Sequence, residues 1–397
     1  MKLKSLTYLG LLTVVTLLCP AAHAQTYSVI HEFSGVGNDG SFPISGVTLR
    51  NGVLYGTTHD GGTGCGTVYQ LSHQGSDWAS KAIYIFHSGE YRSDGCFPFA
   101  RVVFGPDAHL YGTTFEGGGA NGGVVFELVP PISATCITAA CEWKQNVIHL
   151  FTFGSDGSNP EYGDLVWDPQ GNIYGTTSGG TGKGTVFLMT KSGSIWTETP
   201  LYQFNPNTEG YPANGVILDN KGNVYGTTEG LVFELAFPDW TETVLQDLGG
   251  NLGGPSYSGL VADGSGNLYG ATNDGGSGGA GTIFQLSPVG NAYIPIVLYS
   301  LSGGTGCGPY ASLSMDSSGN LYGTTYCTGA YQQGVVFKLT KTGDTWTYTS
   351  LHDFTGLADE GGEPMSQVTI DSDGTLYGTT THGGPMGTYG VVWMIKP

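Results

Sequence analysis

The sequence predicts an all-β protein, a seven-bladed β-propeller of four-stranded antiparallel blades whose last blade is closed by the N-terminal strand. Three observations predict it. A five-residue motif returns seven times, strand-forming segments flank every return, and the two chain ends carry complementary parts of one repeat. The motif first reads Leu54-Tyr55-Gly56-Thr57-Thr58 and recurs from Leu110, Ile173, Val224, Leu268, Leu321 and Leu376, with Ala271 in place of the first threonine in the fifth copy. From tyrosine to tyrosine the steps are 56, 63, 51, 44, 53 and 55 residues. Periods of this size with strand-forming residues in every copy mark a β-propeller or a β-solenoid.

In chain order, Met1 to Ala24 reads as a secretory signal peptide. Lys2 and Lys4 give a basic start, Leu9 to Leu18 an apolar run short for a bilayer, and Ala22-His23-Ala24 a cleavage signal before Gln25. A lipoprotein site at Cys19 is the rival reading, disfavoured by the bulky Leu18 before it. The fold is expected over 25–397, about 53 residues per unit, within the range of propeller blades. Losing the two lysines takes the formal charge from −19 to −21, which disfavours phosphate backbones and anionic lipid. The expected partner is an extracellular small molecule, glycan or peptide, with no nucleic acid and no membrane, and the protein is expected to be a secreted or periplasmic monomer. With 68 Gly and 23 Tyr but only 11% charged residues, the composition suits tight turns around an aromatic core.

Each unit reads as four strands. In the third, strand A (Gly163 to Trp167) meets the turn Asp168-Pro169-Gln170-Gly171, and strand B follows as Asn172 to Thr177. A loop over Ser178 to Lys183 leads to strand C (Gly184 to Leu188), and strand D is Trp196 to Phe204. Asp followed three residues later by Gly suits a hairpin with one left-handed position, and the turn recurs at Asp219, Asp263, Asp316 and Asp371. Asp371-Ser372-Asp373-Gly374 resembles the start of a calcium loop but lacks its closing Glu, so a turn is expected there. No cofactor or metal site is read; calcium among the acidic loops is left open. Strands B and C are apolar on both faces, as stacked blades require. The motif glycine is expected to admit an aromatic ring of a neighbouring blade, with a bulge as the alternative.

The last repeat supplies strands A (Gln367 to Asp371), B (Thr375 to Thr380) and C (Gly390 to Met394) and stops without a strand D. Tyr27 to Phe33 matches the missing strand. A closed ring joins these parts, whereas a solenoid would leave raw edges.

With Leu-Tyr-Gly-Thr-Thr, a glycine-rich loop and Gly-Thr-Val-Phe recurring over 26–397, the chain resembles the GloVer-type (choice-of-anchor) tandem repeat family of secreted bacterial β-propeller proteins. Members often carry a surface-anchoring tail. This chain ends on a strand, so the resemblance implies a released or periplasmic member. It implies a fold and an address, and it carries over no site residues.

Strand direction places the B-to-C loops and D-to-A connections on one face, together with the irregular segments at Asp39-Gly40, Asp94-Gly95, Asp156-Gly157 and Glu209-Gly210. Binding is expected on that face. After the leader there are six cysteines, and the pairs expected from their loops are Cys65–Cys96, Cys136–Cys141 and Cys307–Cys327. The candidate ligand-binding residues follow the motif copies: His59, Asp60, Glu116, Glu229, Asp274 and His382. Ring closure is expected to bring His382, His59, Asp60 and Glu116 from consecutive blades towards one pocket, where they could act as acid and base or hold a cation. The alternative is that they cap glycine-rich turns. Nucleophile-elbow, zinc-helix and phosphate-loop motifs are absent. The expected function is a binding or scaffolding module for an extracellular ligand, with carbohydrate among the candidates. An extracellular polymer-degrading hydrolase or lyase using His59, Asp60, Glu116 and His382 is the alternative.

Overall fold

The computed structural model describes residues 25–397 except 63, 90–91, 132–141, 206, 213, 304–306, 344 and 385–386. The expected leader and the expected Cys136–Cys141 pair lie outside the described residues.

Seven four-stranded antiparallel sheets form the blades of a β-propeller. In blade 3 strands A to D are Val166–Trp167, Ile173–Thr177, Thr185–Ser192 and Ile195–Gln203. In blade 7 strands A to C are Thr369–Ile370, Leu376–Thr380 and Val391–Lys396. Its strand D is Thr26–Glu32, paired antiparallel with Val391–Lys396, so the two chain ends close one sheet. Seven buried clusters sit at the seven joints between neighbouring blades. The joint from blade 7 to blade 1 packs Tyr377, Val392 and Met394 against Val47, Leu54 and Leu71. Every blade is therefore covered on both faces, as its apolar B and C strands demand.

Each position of the repeated motif has a physical task. The tyrosine hydroxyl reaches the A-to-B turn: Tyr269 and Tyr322 donate to Asp263 and Asp316, both at 3.0 Å. The same aspartates accept the turn's backbone N–H groups, as Asp168 does from Gln170 and Asn172 at 2.9 and 2.8 Å. A carboxylate so engaged fixes a hairpin without any ion. The tyrosine ring meets a tryptophan from strand D of the next blade, as in Tyr111–Trp196, Tyr269–Trp346 and Tyr377–Trp78, or, for Tyr174, Trp240 in the turn just before that strand, with centroids 6.0–6.2 Å apart.

The glycine does admit an aromatic ring, but the ring belongs to strand C of its own blade rather than to a neighbour. A Cβ on Gly175 would lie 2.4 Å from Phe187 Cζ, and one on Gly226 would lie 2.6 Å from Phe233 Cζ. The reason is register, because Gly175 pairs directly with Phe187 across the ladder. The first threonine ties blade to blade. Thr57, Thr176, Thr227, Thr324 and Thr379 donate to the carbonyls of Ala100, Asn214, Ser258, Ser366 and Ser45, each in the next blade, at 2.8–3.0 Å. Strand A is shorter than its sequence suggests: in blade 3 only Val166 and Trp167 pair with strand B. The second threonine closes its own B-to-C loop, as Thr58 and Thr114 do by donating to the Asp60 and Glu116 carbonyls.

Candidate functional site

Backbone hydrogen bonds lace the loop face together. The residue after each motif donates its N–H to the D-to-A connector of its own blade: His59 to Phe42, Phe115 to Phe97, Ser178 to Asn159, Glu229 to Tyr211, Asn273 to Pro255, Tyr326 to Gly308 and Thr381 to Glu363. Connector residues donate in turn to the preceding blade, as Phe97 does to Cys65 and Gly308 to Asn273. Phe42, Phe97, Asn159 and Glu363 hold this course at φ of 54–60°, in the left-handed region, each immediately before a proline. Such backbone is costly for a side-chain-bearing residue and is kept where a fixed geometry is needed.

The connectors converge on the propeller axis. Phe99, Tyr162 and Tyr310 line the central cavity together with Ile44 and Met365. Tyr257 stacks on Tyr310 with centroids 5.4 Å apart and planes 14° apart, and Tyr310 meets Tyr326 edge-on at 5.3 Å. On the opposite side Phe99 makes edge contacts with Tyr162 and Phe115, both at 5.3 Å. Below this aromatic mouth the axis is plugged. Arg101 donates from Nε to Asp164 Oδ2 at 2.7 Å and from its other nitrogen to Gln367, while its backbone N–H reaches Asp164 Oδ1 at 2.9 Å. The enclosed space is about 30 Å³, room for about two water molecules, so a larger ligand must sit on the mouth rather than in the channel.

Carboxylates stand among the rings. Burial holds the Glu161 carboxyl above the usual range; nearby Glu229 pushes the same way, and a hydrogen bond from Ser178 opposes both. Burial and neighbouring carboxylates raise the Tyr162, Tyr211 and Tyr326 hydroxyls, which therefore remain neutral donors at ordinary pH. Tyr326 donates to Glu363 Oε2 at 2.6 Å.

Each residue singled out by the sequence has its own partner. His59 pairs with Asp60 at 3.2 Å and stacks on Phe97 at 4.6 Å. Glu116 pairs with Arg92 at 3.0 Å, and the Arg92 guanidinium lies 5.6 Å from the Phe97 ring centre, so Phe97 links these two groups. His382 pairs with Glu363 at 2.9 Å. Glu229 lies beside the Tyr211 hydroxyl and helps burial to raise it, and Asp274 Oδ1 accepts the Gly275 N–H at 2.7 Å. Among the described residues no hydrogen bond or ion pair joins His382 directly to His59, Asp60 or Glu116. The aromatic mouth, Glu161, Glu363 and the Arg101 plug were missed. Their signal was present in the residues after the connector prolines, where Phe99 and Tyr310 occupy equal spacing from Pro98 and Pro309.

The expected acidic loop residues have structural work. Asp39 accepts from His31 at 2.8 Å, Asp94 from Tyr84 at 2.8 Å and Glu209 from Tyr202 at 3.1 Å, each fastening a strand D to the loop that follows it. Cys65–Cys96 joins blades 1 and 2, and Cys307–Cys327 joins the connector and B-to-C loop of blade 6, as expected. On the opposite face Asp107, His109 and Glu127 place donor atoms within 4.8 Å of one another, a set able to hold a metal ion. His109 Nδ1 lies 2.8 Å from Glu127 Oε1, and Tyr111 donates to both carboxylates, so hydrogen bonds already satisfy the group.

The Gloeobacter/Verrucomicrobia repeat matches residues 17–230 and 228–397. Over 92 residues the chain is 30% identical to a photosystem II assembly lipoprotein of Prochlorococcus marinus, a match covering 21% of this chain and 24% of that protein. The chain thus spans about a quarter of that relative's length. Among solved structures, an ulvan lyase, a polysaccharide lyase, aligns with a TM-score of 0.53 at 11% identity over 93% of this chain and 95% of its own. A gluconolactonase from Xanthomonas campestris aligns with a TM-score of 0.43 at 14% identity over 76% of this chain and 87% of its own. At these identities the likeness concerns the fold alone.

Proposed function

The chain belongs to the Gloeobacter/Verrucomicrobia repeat family, and from that premise we propose that it is an extracytoplasmic binding propeller that holds a carbohydrate on the aromatic mouth of its loop face. The observation that carries this reading is the group of rings around a plugged axis: Phe99, Tyr162, Tyr257, Tyr310 and Tyr326. Sugar rings present apolar C–H faces and peripheral hydroxyls. Flat aromatic surfaces meet the first, while neutral phenols and the carboxylates of Glu161, Glu229 and Glu363 meet the second. His59, Asp60, Glu116, Asp274 and His382 extend the polar rim in this reading. Two disulfides support an oxidising compartment, periplasmic or extracellular.

A second reading has one observation in its favour. Glu161 is held towards its protonated form near Glu229, the asymmetry that acid–base cleavage of a glycosidic bond uses. A glycan array followed by calorimetry on residues 25–397 tests the binding reading. Sugar binding that weakens about fivefold for each of Tyr257→Ala and Tyr310→Ala supports it, at about 1 kcal/mol per lost stacking contact. Binding indifferent to both changes refutes it. Release of reducing ends that stops in Glu161→Gln would favour the second reading.

A further inference from the structure

One joint of the loop face lacks its cover. Six B-to-C connections have seven to ten residues between strands, but in blade 4 only 228–230 separate Val224–Thr227 from Leu231–Ala236. Elsewhere the end of this loop closes over the connector proline of the next blade. A Cβ on Gly66, Gly123, Gly184 or Gly334 would lie 2.4–2.9 Å from the Cδ of Pro98, Pro160, Pro212 or Pro364. Those prolines are buried, as are Pro43 and Pro309 in the same role, whereas Pro255 beyond the short blade 4 loop is exposed.

The uncovered joint is a groove of about 540 Å³, lined by Glu209, Glu229, Gly230, Asp247, Gly249 and Pro255 among others. That volume is within the range of ligand clefts. Three of its lining side chains are carboxylates and none is Lys or Arg. Glu209 accepts hydrogen bonds from Tyr202 and the Asn205 N–H, and Asp247 accepts the Gly249 N–H. None of the three acids forms an ion pair among the described residues, so their charge is uncompensated, in a chain of formal charge −19. The inner end of the groove runs towards the mouth: the Glu229 carbonyl accepts the Ser256 N–H at 3.0 Å, and the adjoining Tyr257 stacks on Tyr310. Lys183 lies over the Tyr211 ring from blade 3, so the acidic stretch begins at Glu229 and continues outward.

We propose that the blade 4 groove is a subsite for an extended, positively charged glycan, an oligomer of amino sugars, whose chain leaves the aromatic mouth along the uncovered joint. This rests on the carbohydrate reading of the mouth. The missing loop gives a linear ligand a path that a single sugar would not need. Uncompensated carboxylates favour ammonium groups along that path, and their attraction weakens with salt.

Calorimetry on residues 25–397 at pH 6 with glucosamine dimer and hexamer, the N-acetylated hexamer and hexalysine tests the proposal. The expected result is hexamer binding at least tenfold tighter than dimer, with the gain lost on N-acetylation and reduced at 0.5 M salt. Gly230→Trp should bring the hexamer down to the affinity of the dimer. A Cβ there meets nothing within 4 Å and its φ is not in the left-handed range, so a side chain can be placed at this lining position without a clash at its Cβ. Asp247→Asn, which leaves the carboxylates of the mouth in place, gives an independent loss of part of the charge-dependent gain without adding bulk. Three results would overturn the subsite: no gain with chain length, a gain that survives Gly230→Trp, or hexalysine bound as tightly as the hexamer. If the dimer binds and loses affinity in Tyr257→Ala while length and charge have no effect, only the groove assignment fails. If no sugar of any length binds, the carbohydrate reading fails and the subsite with it.

Discussion

Replacing Gly175 by alanine should destabilise the protein through one ring. The new Cβ would lie 2.4 Å from Phe187 Cζ, 2.9 Å from its Cε1 and 2.9 Å from Leu165 Cδ2. Ordinary carbon contact needs about 3.5 Å or more, so the ring must retreat by about 1 Å. Phe187 is fully buried and Leu165 nearly so, and both are packed against Tyr111, Phe151 and Ile173 at the joint of blades 2 and 3. A core at crystal-like density resists such a shift, at about 1–3 kcal/mol. Loss of glycine's freedom in the unfolded chain offsets about 0.4–1 kcal/mol of this. A net loss of about 1–2 kcal/mol is expected, read as a lower urea midpoint at unchanged m-value. Phe187→Leu alone should destabilise by leaving space, and the double variant should lose less than the sum of the two single losses because each relieves the other. A neutral or stabilised Gly175→Ala, or strict additivity in the cycle, would refute the assignment of the motif glycine to ring clearance.

Further expectations concern the ring, the pH response and the cross-links. Thr379→Val removes the hydroxyl that donates to the Ser45 carbonyl across the closing joint; thermal melts should show a loss of about 0.5–1.5 kcal/mol, and no change would mean the clamp is idle. Burial, reinforced by Asp156, raises the Glu198 carboxyl to about 7. Because the folded pKa lies above the unfolded one, its stabilising contribution is complete below about 4.5 and disappears as pH rises through 7. Glu198→Gln should therefore gain on wild type by on the order of 1 kcal/mol between pH 4.5 and 8, after allowance for partial solvation, with denaturation midpoints at both values as the check. Cys327→Ser opens a link of sequence separation 20; a loss of about 3 kcal/mol is expected in denaturant titration, and an unchanged midpoint would contradict a stabilising role.

Much of the fold was legible because repetition makes it so. Leu-Tyr-Gly-Thr-Thr fixes where each strand B lies, and the odd fragments Tyr27 to Phe33 and Gly390 to Met394 imply closure, which the pairing of Thr26–Glu32 with Val391–Lys396 shows. Two cysteine pairs followed from loop position alone. The ring partner of the motif glycine was misplaced because a period reveals spacing, whereas cross-strand register decides which ring faces Gly175. The aromatic mouth was hidden because its residues lie outside the strands. Phe99 and Tyr310 share one spacing from their prolines, while Tyr162 and Tyr257 sit one residue later, where one more residue separates the proline from strand A. The fastening roles of Asp39, Asp94 and Glu209 in the irregular loop segments were hidden because sequence does not display the His31, Tyr84 and Tyr202 side chains that bind them.

The most direct test of the account is a crystal structure of residues 25–397 soaked with the best-binding sugar from the array. The account predicts a sugar ring lying on the Tyr257–Tyr310 stack, with its hydroxyls within hydrogen-bond reach of the Glu161, Glu229 or Glu363 carboxylates. A sugar seated on the opposite face, or on the outer strands away from the axis, would contradict it.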